Sequence, residues 1–338
     1  MKTFKSSLFL IMMVLAILTI TACGGKSTTE QNSEQAQAQS EQKEETTSAE
    51  KQTFTFLTPK GAPALPGLLL AEEGFENYQL ELQTWDQLEQ LLAHLQNQEG
   101  DFIAAPVNVA STLVNKGLPL KLINVNTWGT IFLVTTDDNV KTLADLEGES
   151  LYISHKSGPP DVLTKYLLEK EGIQDKVELN YATPPEIAQM LIAGKIKHAV
   201  LPEPVLSSVR IKLQDQVKEV IDFQAAWKEM YNLDLPQAGI VVTEKFAKEH
   251  PEVIEAFQKA YGEAIEKMYA NPDEIAKLAE QYLDLKGPIV KNALNKMVIK
   301  LVEAKDAKAS VEQYFLILLE SQPESIGGQL PNEGFYYK

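Results

Sequence analysis

The side chains best suited to chemistry sit in short turns that follow strand-like segments, and they are of types that bind rather than react. Lys60, Gly61 and Ala62 lie in the turn Thr58-Pro59-Lys60-Gly61-Ala62-Pro63. Two prolines stiffen this turn and the glycine permits close approach, so it either presents backbone N–H groups to a small molecule or simply joins a strand to a helix. Lys156, Ser157 and Gly158 precede a proline near a helix start. There Ser157 and the N–H groups after it, helped by Lys156, can hold an anion or a carbonyl oxygen; equally, Ser157 can serve only as a cap. Asn108 either caps the helix after Pro106 or reaches a ligand. Trp128, with Thr130 beside it, lies in a segment between two apolar runs and is either a pocket wall or core. Tyr181 and Glu203 end two strands and fit a stacking ring and a hydrogen-bond acceptor, and Glu203 also suits a surface between lobes or toward a partner. Gln237 stands just before another strand.

No catalytic constellation can be assembled from the remaining residues. Histidines 94, 155, 198 and 250 are scattered without metal-ligand spacing, and there is no G-x-S-x-G elbow or paired-carboxylate motif. Cys23 is the only cysteine, so the folded part has neither disulfides nor thiolate zinc sites. No catalytic residue, metal or cofactor is therefore expected. Arg210 is the only arginine, and no candidate loop contains it. Arginine is the usual bidentate partner of carboxylate, phosphate or sulfonate. Its absence favours a planar neutral or aromatic ligand against Trp128, Tyr181 and Trp227, while Lys60 and Lys156 keep an anion open.

The elements that must position these loops alternate along the chain. Residues 54–58, 78–82, 101–105, 120–125 and 131–135 read as strands, and residues 64–73 and 86–98 as helices; a further helix follows Pro106 and stops at Gly117. Leucines 88, 91, 92 and 95 mark one helix face. A second series follows, with strands at 151–154, 177–181 and 197–201 and helices at 160–170 and 185–192. After Gln237 the pattern is helical apart from a strand at 238–242. This order argues for mostly parallel sheets flanked by helices. It places lobe one at 53–136 plus 238–338 and lobe two at 137–237. Two sequential domains would instead need a polar linker, for which Asp137-Asp138-Asn139 is the one short candidate.

The first 22 residues stand apart. Lys2 and Lys5 precede an apolar run over residues 8–20, and Ile20-Thr21-Ala22-Cys23 follows. This is the layout of a cleaved export signal, and its last four residues resemble a bacterial lipobox, which implies lipidation of Cys23. The run of about 13 residues is short of the ~20 that span a bilayer. Residues 23–52 are rich in Ser, Thr, Gln and Glu and read as a disordered tether, reaching roughly 30 Å. The net charge of −16 falls to −18 without residues 1–22, because only Lys2 and Lys5 are lost. So acidic a chain disfavours nucleic acid, whose phosphates need Lys and Arg.

Four segments together resemble the substrate-binding proteins of ABC importers for sulfonates, nitrate, taurine and thiamine-precursor pyrimidines. They are Asp101-Phe102-Ile103-Ala104-Ala105-Pro106; Ser157-Gly158-Pro159-Pro160-Asp161; the run from Leu191 to Pro204, which ends Leu201-Pro202-Glu203-Pro204; and Leu235-Pro236-Gln237-Ala238-Gly239 with Asn271-Pro272-Asp273-Glu274 downstream. His198 stands where that family usually has Asp. The resemblance implies a periplasmic-binding-protein-like fold of type II: two α/β lobes that close about a hinge on one small molecule without transforming it. It further implies a monomer, lipid-anchored outside the cytoplasm, that delivers its ligand to permease and ATPase subunits. A sulfonate or nitrate binder, a sensor or partner-protein lipoprotein, and an enzyme on the same fold are the competing readings.

Overall fold

A computed structural model describes residues 51–338. The expected export signal over residues 1–22, Cys23 and nearly all of the expected tether lie outside the described residues.

The chain first lays down four strands that point the same way, each joined to the next through a helix. These are β1 (Gln52–Pro59), β2 (Tyr78–Trp85), β3 (Phe102–Pro106) and β4 (Leu120–Gly129), with α1 (Ala64–Glu73), α2 (Leu88–Gln96) and α3 (Val107–Asn115) between them. Every residue from Phe102 to Ala105 is buried, as befits a strand covered on both faces. The second series is β5 (Ile131–Thr135), β6 (Ser150–Ile153), α4 (Pro159–Glu171), β7 (Glu178–Tyr181), α5 (Pro184–Ile192), β8 (His198–Pro202), α6 (Val205–Leu213), β9 (Lys218–Asp222) and α7 (Phe223–Tyr231). Local signals set its boundaries. Gly172 ends α4 in the left-handed conformation, and the Asp222 carboxylate caps α7 by accepting from the N–H groups of Gln224 and Ala225. The chain then returns as β10 (Ala238–Thr243), α8 (Glu244–Glu249), α9 (Pro251–Ala270), α10 (Pro272–Leu283), α11 (Gly287–Leu294), β11 (Val298–Glu303) and α12 (Ala304–Ser321).

Two sheets result, with strand orders β11-β4-β10-β3-β1-β2 and β7-β6-β8-β5-β9. Most strands in each run in one direction, and the exceptions are those on which the chain crosses or returns: β10 and β11 in the first sheet, β5 in the second. β10 inserts between β3 and β4 and is held tightly there. A Cβ on Gly239 would lie 2.1 Å from the Asn124 carbonyl oxygen, so only glycine lets these strands approach.

The pairing corrects two boundaries and adds two strands. Residues 131–135, read with lobe one, pair with β8 and β9 in the second sheet, so the outward crossing falls at Gly129–Thr130 rather than near residue 136. β4 continues through the segment 126–129, which the reading left as a connection, because β11 pairs along it. β9 and β11 are strands the pattern did not reveal. Both are edge strands carrying exposed charged residues such as Lys218 and Lys300, and their apolar alternation is thin.

One apolar cluster joins the two sheets. Ile103 and Leu122 from the first and Leu133 and Leu151 from the second belong to it, together with Trp227 of α7 and Tyr314 of α12, whose rings meet edge to face at 5.5 Å. The C-terminal aromatics pack on the first sheet, where Tyr337 N–H donates to the Leu122 carbonyl and Phe335 is buried.

Candidate ligand-binding cavity

A cavity of about 530 Å³ opens between the carboxyl ends of the strands of both sheets. Pro59, Trp85 and Pro106, the last residues of β1, β2 and β3, face it from one side. His155, Thr183 and Pro202, at or just beyond the ends of β6, β7 and β8, face it from the other. This is where ligands sit in open α/β sheets, and the size suits a small organic molecule.

Seven of the twelve residues singled out as ligand contacts reach this cavity: Lys60, Gly61, Ala62, Thr130, Gly158, Glu203 and Gln237. Two of them stand on the chain crossings. Thr130 donates its hydroxyl proton to Gln237 Oε1 at 2.8 Å. Gln237 is further fixed through its backbone, with its N–H on Thr127 and its carbonyl accepting from Val107.

Glu203 lies on the wall, but its carboxylate is already engaged. Arg210 pairs with one oxygen, and the Ser207 N–H donates to the other at 2.9 Å. Burial pushes this carboxyl above its ordinary value, against the pull of Arg210 and Ser207. Arg210 reaches on to Glu219 at 3.0 Å and lies over the Phe132 ring. The lone arginine is therefore a support inside the second lobe. At the rim, Lys60 stands 3.8 Å from Asp86, so the ionisable groups along the wall nearly balance.

The other five candidates are placed elsewhere. Ser157, Lys156 and Tyr181 gather around Asp161, a buried carboxylate at the third position of α4. Its oxygens accept from Ser157 N–H at 2.8 Å, Tyr181 OH at 2.8 Å and Lys165 at 3.1 Å, while Lys156 lies over the Tyr181 ring. Asp161 closes the helix start from within, the role an acidic residue in the first turn is placed to play. Asn108 neither caps α3 nor lines the cavity; its Nδ2 donates to the Ser157 and Ser325 carbonyls, tying α3 to the second lobe and to the C-terminal turn. Trp128 is buried on β4, and its indole N–H donates to the Lys300 carbonyl at 3.0 Å.

Trp227 is likewise in the core, among Tyr166, Tyr231 and Tyr314. The three aromatics expected to hold a ring thus lie outside the cavity wall. Trp85 and His155 stand there instead. Burial holds the His155 imidazole below its ordinary value, so it is neutral at pH 7.

The helix starts differ most from expectation. α4 begins Pro159-Pro160 and α5 begins Pro184-Pro185, and all four prolines line the cavity. A proline carries no N–H. The next N–H groups are occupied, Asp161 N–H by the Gly158 carbonyl and Glu186 N–H by the Thr183 side chain. Nine prolines line the cavity in all. Among the described residues, no group of three or more His, Cys, Asp or Glu side chains is placed to hold a metal ion, and no helix is long and apolar enough to cross a membrane.

The architecture is shared with known structures. An ABC transporter protein from Parabacteroides distasonis superposes with a TM-score of 0.73 at 26% identity, covering 85% of this chain and 99% of that one. The periplasmic aliphatic sulphonate binding protein SsuA from Escherichia coli gives 0.66 at 18% identity, over 85% and 92% of the two chains. The periplasmic nitrate-binding protein NrtA from Synechocystis PCC 6803 gives 0.64 at 12% identity, over 82% and 84%. No curated protein sequence matches the chain. Residues 76–275 match the family described as NMT1/THI5 like. With that match spanning more than half its length, and with the two sheets ordered as above, the chain belongs to the NMT1/THI5-like family and has the periplasmic-binding-protein-like fold.

Proposed function

We propose that this chain is the substrate-binding subunit of an ABC importer, lipidated at Cys23 and tethered outside the cytoplasm, which carries a neutral planar or aromatic molecule to its permease and performs no chemistry on it. The observation that carries this reading is the charge-balanced, largely apolar cavity between the strand ends of both sheets. Its resemblance to the Parabacteroides distasonis transporter protein supports the importer assignment. The lobes, residues 51–129 with 238–338 and residues 131–237, close about the crossings marked by Thr130 and Gln237. In the neutral ligand class the reading parts from the sulphonate and nitrate binders, because no arginine lines the cavity and the cavity lysine stands beside Asp86.

A thermal-shift screen of the purified protein against vitamins, pyrimidines, sulfonates, nitrate and amino acids tests it. A ligand at about 100 times its dissociation constant adds roughly 2.7 kcal/mol, enough to raise Tm by a few degrees. No shift with any compound, from protein shown by mass spectrometry to be ligand-free, would turn the assignment toward a sensor or partner-protein role. Metabolic labelling with a fatty-acid analogue tests the anchor, and the label should vanish in Cys23→Ser.

A further inference from the structure

The lobes are joined along two flanks that are built differently. On one, a single apolar cluster runs through both lobes: Val162, Leu163 and Tyr166 of α4 belong to it together with Tyr314, Phe315 and Leu318 of α12. Buried amides reinforce this flank, since Gln322 Nε2 donates to the Val162 carbonyl at 2.7 Å and Asn108 Nδ2 to the Ser157 carbonyl at 3.2 Å. On the other flank, α6 of the second lobe meets α11 of the first. Here the apolar side chains belong to separate clusters, Leu206 and Val209 to one within the second lobe, Val290 and Leu294 to one within the first. Polar groups cross the seam instead. Ser207 Oγ donates to Asn292 Oδ1 at 3.0 Å, and Lys296 stands 3.6 Å from Glu219, with side chains 47% and 34% exposed. The seam borders the cavity, which Leu283 and Leu285 line just before α11 and Pro204 and Val205 line at the start of α6.

We infer that the cavity opens along the α6–α11 seam with the α4–α12 flank as pivot, and that Lys296–Glu219 and Ser207–Asn292 form the latch that holds it shut. The inference rests on the binding function proposed above and specifies how its site is gated. Parting the α4–α12 flank would bring buried apolar surface into water, which is costly. Parting the seam breaks a hydrogen bond and an ion pair that water and salt can replace. Ser207 and Arg210 also hold the Glu203 carboxylate on the cavity wall, and Arg210 reaches Glu219 at 3.0 Å. The wall and the second lobe's half of the latch therefore move as one piece. Because the ion pair is exposed, ionic strength weakens the latch.

The test reads distances between paired spin labels in the ligand-free, full-length chain carrying Cys23→Ser, so that only introduced cysteines react. One exposed pair, Lys212→Cys with Asn295→Cys, straddles the seam; another, Glu169→Cys with Glu324→Cys, straddles the pivot. Circular dichroism confirms that each variant folds. At low salt the seam pair should show mainly the short distance of the closed structure. Raising NaCl to about 1 M, where screening acts beyond ~3 Å, should increase the open-to-closed ratio about two- to fivefold, the scale of one exposed ion pair. Lys296→Gln and Asn292→Ala should shift it in the same sense at low salt, whereas Lys296→Arg should keep the parent distribution. The pivot pair should stay fixed throughout. The inference is overturned by a seam already open in the parent at low salt, by one indifferent to salt or to Lys296→Gln, by one opened equally by Lys296→Arg, or by a pivot pair that moves as far. The measurement needs no ligand. A seam that stays shut thus overturns the latch and leaves the importer function standing, whereas an empty ligand screen overturns that function and leaves the motion in place.

Discussion

The Thr130 hydroxyl donates to the side-chain carbonyl of Gln237 at 2.8 Å, and these two residues stand at the two places where the chain passes between the sheets. One side-chain bond thus links the outward and return crossings. Thr130→Val keeps the shape and deletes the donor. Stability should fall by about 1–3 kcal/mol as a buried carbonyl loses its partner, read from urea midpoints. A midpoint equal to the parent's would mean that the bond does not order the crossing.

Arg210 compensates a carboxylate that is almost wholly buried. Arg210→Met should cost about 3–5 kcal/mol at pH 7, the usual penalty for stranding one partner of a buried pair. Adding Glu203→Gln should recover much of it. Burial already raises the Glu203 carboxyl, and losing the guanidinium raises it further. An acid raised in the folded state binds its proton there first, so the single variant should regain stability as pH falls from 7 toward 5. Denaturation at both pH values checks the sign.

In the parent, histidines push the other way over the same range. Burial lowers His155, with Glu89 opposing; burial likewise lowers His198, against Glu149 and Asp137. A histidine depressed in the folded protein is protonated first in the unfolded chain. Stability from these two is therefore full above the unfolded value of about 6.5 and declines as pH drops below it. The double variant His155→Gln with His198→Gln should flatten the fall in urea midpoint between pH 7 and 5. An unchanged slope would assign the acid sensitivity to other groups.

Two glycines separate close packing from backbone freedom. Gly239→Ala drives a methyl into the Asn124 carbonyl and should destabilise by about 3 kcal/mol or more. Gly262, inside α9, has nothing within 4 Å of where its Cβ would stand. Gly262→Ala should stabilise by about 0.5–1 kcal/mol. Thermal melts of the two variants should move in opposite directions.

Much of the fold was legible in the sequence because it rests on local pattern. The period-2 and period-3.6 runs that alternate from Phe54 to Leu201 determined the helices and most of the strands, and the turns after those strands, around Lys60, Gly158 and Glu203, marked where the cavity would lie. The tertiary structure alone decided which sheet each crossing strand joins and which side chains face the opening. Nothing in Ile131–Thr135 itself distinguishes pairing with β4 from pairing with β8, since all five residues are buried in either arrangement. Trp128 and Trp85 are equally large and apolar in sequence. Trp128 is taken into the core by a carbonyl 172 positions away, whereas no such partner meets the Trp85 indole. The reason is physical: a strand's period is set by its neighbours in the chain, but burial of a polar atom is settled by whichever distant group reaches it.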